Sequence, residues 1–174
     1  QMKRALTMGV DVVGGIPHFE RTMAHGADSV RVLCELAAER GLPVDMHCDE
    51  SDDPMSRHIE ALAHETLRLG LQGRVTGSHL TSMHSMDNYY VSKLIPLMRE
   101  AGLHAVANPL INITLQGRHD SYPKRRGMTR VREMMADIRP EFPKEFAGFT
   151  FNDNFGDVFG SIYAFTADGF SPRE

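Results

Sequence analysis

Pro43-Val-Asp-Met-His-Cys-Asp-Glu50 is the stretch on which the fold turns. It begins as a short apolar run, Pro43 to His47, and passes without a break into ionisable side chains. Three further runs share its character: Val10 to Gly14, Arg74 to His79 and Leu103 to Asn108. Successive starts lie 33, 31 and 29 residues apart. That interval fits a strand, a crossover helix and a return to the next parallel strand. Strands this short and nearly all apolar are those covered on both faces.

Helical patterns fill the intervals. Val30, Leu33, Cys34 and Ala37 follow the i, i+3, i+4, i+7 rule, and Gly41 supplies a stop. Ile59, Leu62, Ala63 and Thr66 repeat it, in a helix expected to start at the Asp53 cap with Pro54 first and to end at Gly70. A third helix is expected from about Asp87 to Ala101, with Pro96 producing a kink or a late start. A fourth begins near Thr129, with Val131 and Met134 on one face. The fold class is therefore α/β. An open doubly wound sheet and a closed (β/α)8 TIM-type barrel both satisfy the pattern, and periodicity does not separate them. A barrel takes about 250 residues, so four βα units make half of one. Half a barrel is expected to leave two parallel edge strands open and an apolar face bare.

The composition narrows the class of function. With 41% hydrophobic and 24% charged residues, the 174-residue chain reads as a globular domain with a sizeable core. A net charge of -4 argues against nucleic acid or an anionic membrane as partner. No apolar run approaches the length of a membrane span, and the polar start at Gln1, Lys3 and Arg4 is not a signal peptide. Two cysteines, Cys34 and Cys48, are too few for a disulfide framework, which points to a reduced, cytoplasmic compartment. Both ends read as cut: the start lies in the end of a helix, and Ser171-Pro-Arg-Glu174 is a capping box with no helix after it.

In parallel α/β folds chemistry collects at the carboxyl ends of the strands. Here those ends carry His47-Cys-Asp-Glu50, Ser78-His79, Asn108-Pro109 with a long polar loop to Thr129, and Gly14-Gly15 with Pro17-His-Phe-Glu20. A lone histidine on an apolar strand is more often satisfied by backbone than by a ligand. Glu50 three residues on, and His79 at the end of the next strand, weigh against that explanation for His47. Neutral imidazole is a common ligand for Zn or Fe, and a carboxylate in the same pocket can move protons. Asp52 and Asp53 read as loop and cap residues, and Cys48 as a small buried apolar residue rather than a nucleophile. His18, His84 and His119 fall in loops. His25, His58, His64 and His104 read as surface or helix positions. The run Lys124-Arg-Arg-Gly127 reads as a solvated turn or one paired with nearby carboxylates.

Asp11-Val-Val-Gly-Gly-Ile-Pro-His-Phe-Glu20, Asp45-Met-His-Cys-Asp-Glu50, Gly77-Ser-His-Leu-Thr-Ser-Met-His-Ser85, Asn108-Pro-Leu-Ile-Asn-Ile-Thr-Leu-Gln-Gly-Arg-His-Asp120 and Tyr122-Pro-Lys-Arg-Arg-Gly127 occur in order. Together they resemble the cytosine deaminases, barrel enzymes of the amidohydrolase superfamily, from residue 1 to about 135. The resemblance implies a partial TIM-type barrel and one divalent metal, Fe or Zn, at its mouth. It implies that His47 is a metal ligand. It gives Glu50 the shuttling of protons between the activated water, the ring nitrogen and the leaving ammonia. It sets His79 beside that water as a catalytic residue. The implied substrate is a small pyrimidine, cytosine, hydrolysed to uracil and ammonia. The family's His-x-His ligand pair and its last ligand, an Asp in a Gly-His-Asp setting, do not occur in this sequence.

Beyond about residue 135 the pattern changes. The stretches Ala136-Asp-Ile-Arg-Pro-Glu-Phe-Pro143 and Phe151-Asn-Asp-Asn-Phe-Gly-Asp-Val-Phe-Gly-Ser-Ile-Tyr-Ala-Phe-Thr-Ala-Asp-Gly-Phe-Ser-Pro-Arg-Glu174 resemble the periplasmic porter region of resistance-nodulation-division efflux pumps. Residues 136–174 are thus expected to be an unrelated, β-containing tail with a strand from Val158 to Thr166, and the chain to be chimeric. Two readings stand. One is a fragment of a metal-dependent cytosine deaminase, without turnover in this chain alone. The other is a non-catalytic chimera that binds metal weakly or self-associates as a homo-oligomer.

Overall fold

The computed structural model of the chain describes residues 2–125, 127–138, 163–166 and 169–170. After a first helix, α1 (Met2–Thr7), four βα units follow in order. Their strands are β1 (Val13–Gly15), β2 (Val44–Cys48), β3 (Val75–His79) and β4 (His104–Ala107). The helices after the first three strands are α2 (Met23–Arg40), α3 (His58–Leu69) and α4 (Asn88–Glu100). After β4 come α5 (Pro109–Leu115) and α6 (Val131–Ile138). The strands pair in sequence order and in parallel, with Val13, Val44 and Val75 aligned across the first three.

Strand order and helix placement resolve the barrel from the doubly wound sheet. A doubly wound sheet reverses its strand order and carries helices on both faces. Here the order never reverses, and α2 packs on α3 and α3 on α4, forming one continuous layer. The strands are thus part of a TIM-type barrel wall with its helices outside.

The helix-facing residues of the strands are Val13, Val44, Met46, Cys48 and Val75, each at most 1% exposed. Against them α3 sets Ile59, Leu62, Ala63 and Thr66, all at 0%, as the 3.6-residue period requires. Burial of each large aliphatic side chain contributes about 1.5–3 kcal/mol. Gly77 lets β3 and α3 approach: a Cβ there would lie 2.9 Å from Ile59 Cδ1. Helix α2 ends at Gly41 in the left-handed conformation (φ 65°), which costs an L-residue about 1–2 kcal/mol. Helix α4 is capped by Asp87, which accepts from the amides of Tyr89 and Tyr90 at 2.8 and 3.3 Å. It runs through Pro96 from Asn88 to Glu100, so the late start is not observed.

Helix α3 begins at His58, not at Pro54, because its cap comes from the strand before it. The Asp49 side chain, 0% exposed, accepts from the amides of His58 (3.0 Å) and Ile59 (2.8 Å). Asp53 instead closes a local turn by accepting from the Met55 amide at 2.9 Å. The long polar loop expected after β4 contains α5, opened by Pro109 at its first position.

The open edges also differ from expectation. The far side of β4 is paired antiparallel with β5 (Tyr163–Thr166), which pairs antiparallel with β6 (Gly169–Phe170). The bare apolar face is also not observed at mid-sheet, where Asp45, Thr76, His47 and Ser78 point away from the helices. Of residues 136–174, expected to be an unrelated tail, 136–138 close α6, and 139–162, 167–168 and 171–174, including most of the strand expected from Val158, lie outside the described residues. Among the described residues no helix is long and apolar enough to cross a membrane.

Two measurements test this packing. Cys34 and Cys48 are both 0% exposed, and burial pushes the Cys34 thiol up to about 12 and Cys48 well above its ordinary value. Neither is expected to react with a thiol reagent at pH 8 until denaturant is added; prompt labelling of folded protein would contradict the core placement. Asp49→Ala is expected to lower the unfolding free energy by about 3–5 kcal/mol, because it strands a buried partner and two helix amides. Urea titration giving a loss below about 1 kcal/mol would show that the cap carries little.

Candidate metal centre

The site is built from two strand ends and one helix. Strand β2 alternates, with Val44, Met46 and Cys48 buried against the helices and Asp45 and His47 on the opposite, inner face. Period-2 alternation alone therefore delivers His47 to the barrel mouth. The inner face is polar at the next position too, where Ser78 Oγ donates to Asp45 Oδ1 at 3.0 Å.

Alternation would aim His79 the wrong way. In the parallel register it sits beside Cys48, on the helix-facing side. It reaches the mouth because its own backbone turns left-handed, at φ 74°, followed by Leu80 at φ 53°. Asp49, directly before Glu50, does the same at φ 55°. Each such residue costs on the order of 1–3 kcal/mol and persists only where its surroundings hold it. The surroundings are specific: the Leu80 amide donates to Cys48 O (3.0 Å), and the Ser82 amide to Asp49 O (3.0 Å).

His47, Glu50 and His79 converge, with their candidate ligating atoms all within 4.8 Å of one another. His79 Nε2 lies 3.1 Å from His47 Nδ1. On its other side His79 Nδ1 lies 3.1 Å from Glu50 Oε1. Asn112 of α5, 1% exposed, donates from Nδ2 to Glu50 Oε1 at 3.0 Å. Burial holds the His79 imidazole below its ordinary pKa, against the opposing pull of the Glu50 carboxylate. His79 therefore stays neutral, and able to accept on one nitrogen, to lower pH than a free histidine.

This donor set fits a divalent metal. Two nitrogens at about 2.0–2.1 Å from one tetrahedral zinc lie roughly 3.3 Å apart, close to the observed 3.1 Å between the two rings. Imidazole and carboxylate suit Zn or Fe. His47 and His79 face each other at a distance that a cation or a shared proton would bridge.

The other candidates distribute differently. His18 lies beside the centre: its Nδ1–H donates to the His47 carbonyl at 3.1 Å, and burial lowers its pKa. His84 and His119 are exposed and take no part. Asp52 is more than a loop residue, since its Oδ2 accepts from the Gly117 amide at 2.7 Å. Arg125 forks onto Asp120 at 2.9 and 2.7 Å, as the pairing of the basic run anticipated; Arg126 lies outside the described residues.

Three participants were not singled out by sequence. Asp49 gathers Ser56 Oγ (2.8 Å) and His58 Nδ1 (2.8 Å) besides the two helix amides. His58, expected at a surface or helix position, opens α3 but is only 3% exposed. Asn112 carries the one polar signal available, an amide on an otherwise aliphatic stretch, Leu110-Ile-Asn-Ile113.

Comparison with known proteins identifies the family. Residues 1–137 match the model of the amidohydrolase family. The structure superimposes on a 5-methylcytosine deaminase from Klebsiella pneumoniae liganded with 5-fluorocytosine, with TM-score 0.75 and 51% identity, covering 78% of this chain and 33% of that one. A pterin deaminase of Rhizobium rhizogenes is 37% identical over 105 residues, 60% of this chain and 24% of its own length. An N-isopropylammelide isopropyl amidohydrolase of Pseudomonas is 29% identical over 106 residues, 60% of this chain and 26% of its own. The chain spans about a quarter of the length of these two curated relatives. With the family model covering the four βα units and the strand ends that carry His47, Glu50 and His79, this chain belongs to the amidohydrolase family.

Proposed function

We propose that residues 1–135 are the segment of a metal-dependent hydrolytic deaminase that holds its proton-transfer groups, with a cytosine-type pyrimidine as substrate. The observation that carries this reading is the convergence of His47, Glu50 and His79 at the mouth of consecutive parallel strands. The 51% identity to a 5-methylcytosine deaminase supports the choice of ring. In cytosine the amino-bearing carbon adjoins a ring nitrogen, so hydrolysis requires a proton delivered to that nitrogen and another to the departing amine. Glu50, at 15% side-chain exposure, is placed to carry both.

His47 would hold a divalent metal, Fe or Zn, whose chemistry is to lower the pKa of a coordinated water towards roughly 7, with His79 beside that water. His79 Nδ1–H donates to Glu50, which leaves Nε2 as an acceptor on the metal side. Burial favours the neutral ring, so His79 accepts a hydrogen bond instead of repelling the cation. His18 fixes the His47 main chain through its carbonyl.

Catalytic zinc normally has three protein ligands. The His-x-His pair and Gly-His-Asp setting that complete the family's set do not occur in these 174 residues. The purified 174-residue chain is therefore expected to release no ammonia from cytosine above background with Fe or Zn. Metal-dependent turnover by it, abolished in His47→Ala and Glu50→Ala, would overturn that expectation. The positive test is a graft of residues 1–135 in place of the matching segment of the Klebsiella enzyme. The graft is expected to deaminate cytosine or 5-methylcytosine, and to lose activity by about 100-fold or more in Glu50→Gln, the lower range for a general acid–base group. A folded, metal-loaded graft without activity would sink the deaminase reading.

A further inference from the structure

We infer that Asn112 is a positioning residue, which sets the tautomer of His79 by pinning the Glu50 carboxylate against it. This inference deepens the proposed function and takes its chemical meaning from it, but its geometry stands on its own.

Asn112 sits in α5, the helix that follows β4 in the chain, whereas its partners are carried by the ends of β2 and β3. It is 1% exposed, whereas Leu110, Ile111 and Ile113 around it are 60%, 44% and 41% exposed. A helix that buries its amide and leaves its aliphatic residues to solvent is inverted relative to burial preference. A buried amide is costly unless its groups are bonded, so its partners are where it acts. Those partners are both in the centre: Glu50 Oε1 at 3.0 Å from Nδ2, and His79 Nδ1 at 3.2 Å from Nδ2 and 3.4 Å from Oδ1. Asn108 Nδ2 lies a further 3.4 Å from the same ring nitrogen.

The shortest contact of His79 Nδ1, to Glu50 at 3.1 Å, sets the assignment, and the amide nitrogens of Asn112 and Asn108 at 3.2 and 3.4 Å are then neighbours of that N–H rather than donors to it. Ionised Glu50 is acceptor only, so the group at 3.1 Å on His79 Nδ1 must donate to it. The Asn112 amide also donates to Oε1, and its carbonyl lies towards the same Nδ1–H. Every ion pair and hydrogen bond of Glu50 among the described residues falls on Oε1. A neutral His79 protonated on Nδ1 then turns a bare Nε2 towards His47 Nδ1 at 3.1 Å. Without Asn112, Glu50 keeps no other hydrogen-bond donor than His79 among the described residues. Its carboxylate gains rotamers, and the ring loses the acceptor that selects its tautomer.

The test is the protonation pattern of the His79 ring in the full chain, read by long-range 1H–15N NMR at about pH 8, where free histidine is neutral. The parent is expected to show Nδ1–H with unprotonated Nε2. In Asn112→Leu the ring is expected to become a mixture of tautomers while remote amide signals stay in place, and zinc affinity to fall about 10–100-fold, the usual cost of an outer partner. Should Asn112→Leu fail to fold, Asn112→Ser carries the same expectation, because its shorter side chain cannot reach Glu50. An unchanged Nδ1–H tautomer in a folded variant would overturn the inference. A tautomer shift alongside an inactive graft would leave the inference standing and remove the deaminase reading; the reverse combination would do the opposite.

Discussion

Asp49 is the carboxylate from which the centre takes its shape. It is fully buried, so it needs a donor for each lone pair it turns inward. It finds them in the His58 and Ile59 amides, the Ser56 hydroxyl and the His58 ring. That demand fixes where α3 starts and how β2 ends. Its main-chain oxygen also receives Thr81 Oγ1 and the Ser82 amide, which ties the end of β3 to the end of β2. Glu50 is the next residue, so its direction follows from these constraints.

The same junction explains why strand alternation does not suffice. An uninterrupted β3 would turn His79 towards the helices beside Cys48. Two successive left-handed residues at its end, His79 and Leu80, redirect the ring across to His47. Unfavourable backbone conformations at Asp49, His79 and Leu80 are held by the hydrogen bonds between the β2 and β3 ends. Strain concentrated where His47, Glu50 and His79 meet is what a functional site leads one to expect.

What could be read from the sequence divides along physical lines. The βα repeat was legible because burial on both faces forces apolar strands, and burial on one face forces the 3.6 period of α2 and α3. His47 and His79 were legible because a polar residue at the end of such a strand is anomalous. The start of α3 was not, because a local Asp-Pro pair mimics a cap and the actual cap, Asp49, lies nine residues before His58. The buried state of His58 was hidden for the same reason, since it depends on that partner. Asn112 was hidden because it sits 62 residues from Glu50, and no periodicity links them. The covered edge of β4 depends on pairing with Tyr163–Thr166, a contact no local pattern announces.

Asn112 itself depends on a second tie. Helix α5 has only seven residues, too few to hold its place by its own hydrogen bonds. The loop after it is fastened to the loop after β2: the Gly117 amide donates to Asp52 Oδ2, and Arg125 Nη1 to the Asp52 carbonyl at 2.9 Å. Gly117 has φ 70°, and a Cβ there would collide with the Arg125 carbonyl, so a larger residue would force the two arms of this loop apart. Arg125 is in turn oriented by its fork onto Asp120. Asp52 therefore does for the β4 loop what Asp49 does for α3. Both acidic residues flank Glu50 in the chain, and each reaches away from it to fasten one wall of the pocket. Asp49 and Asp52, the latter a loop residue by sequence, thus form a frame, with Glu50 held facing the centre between two carboxylates that are spent on structure.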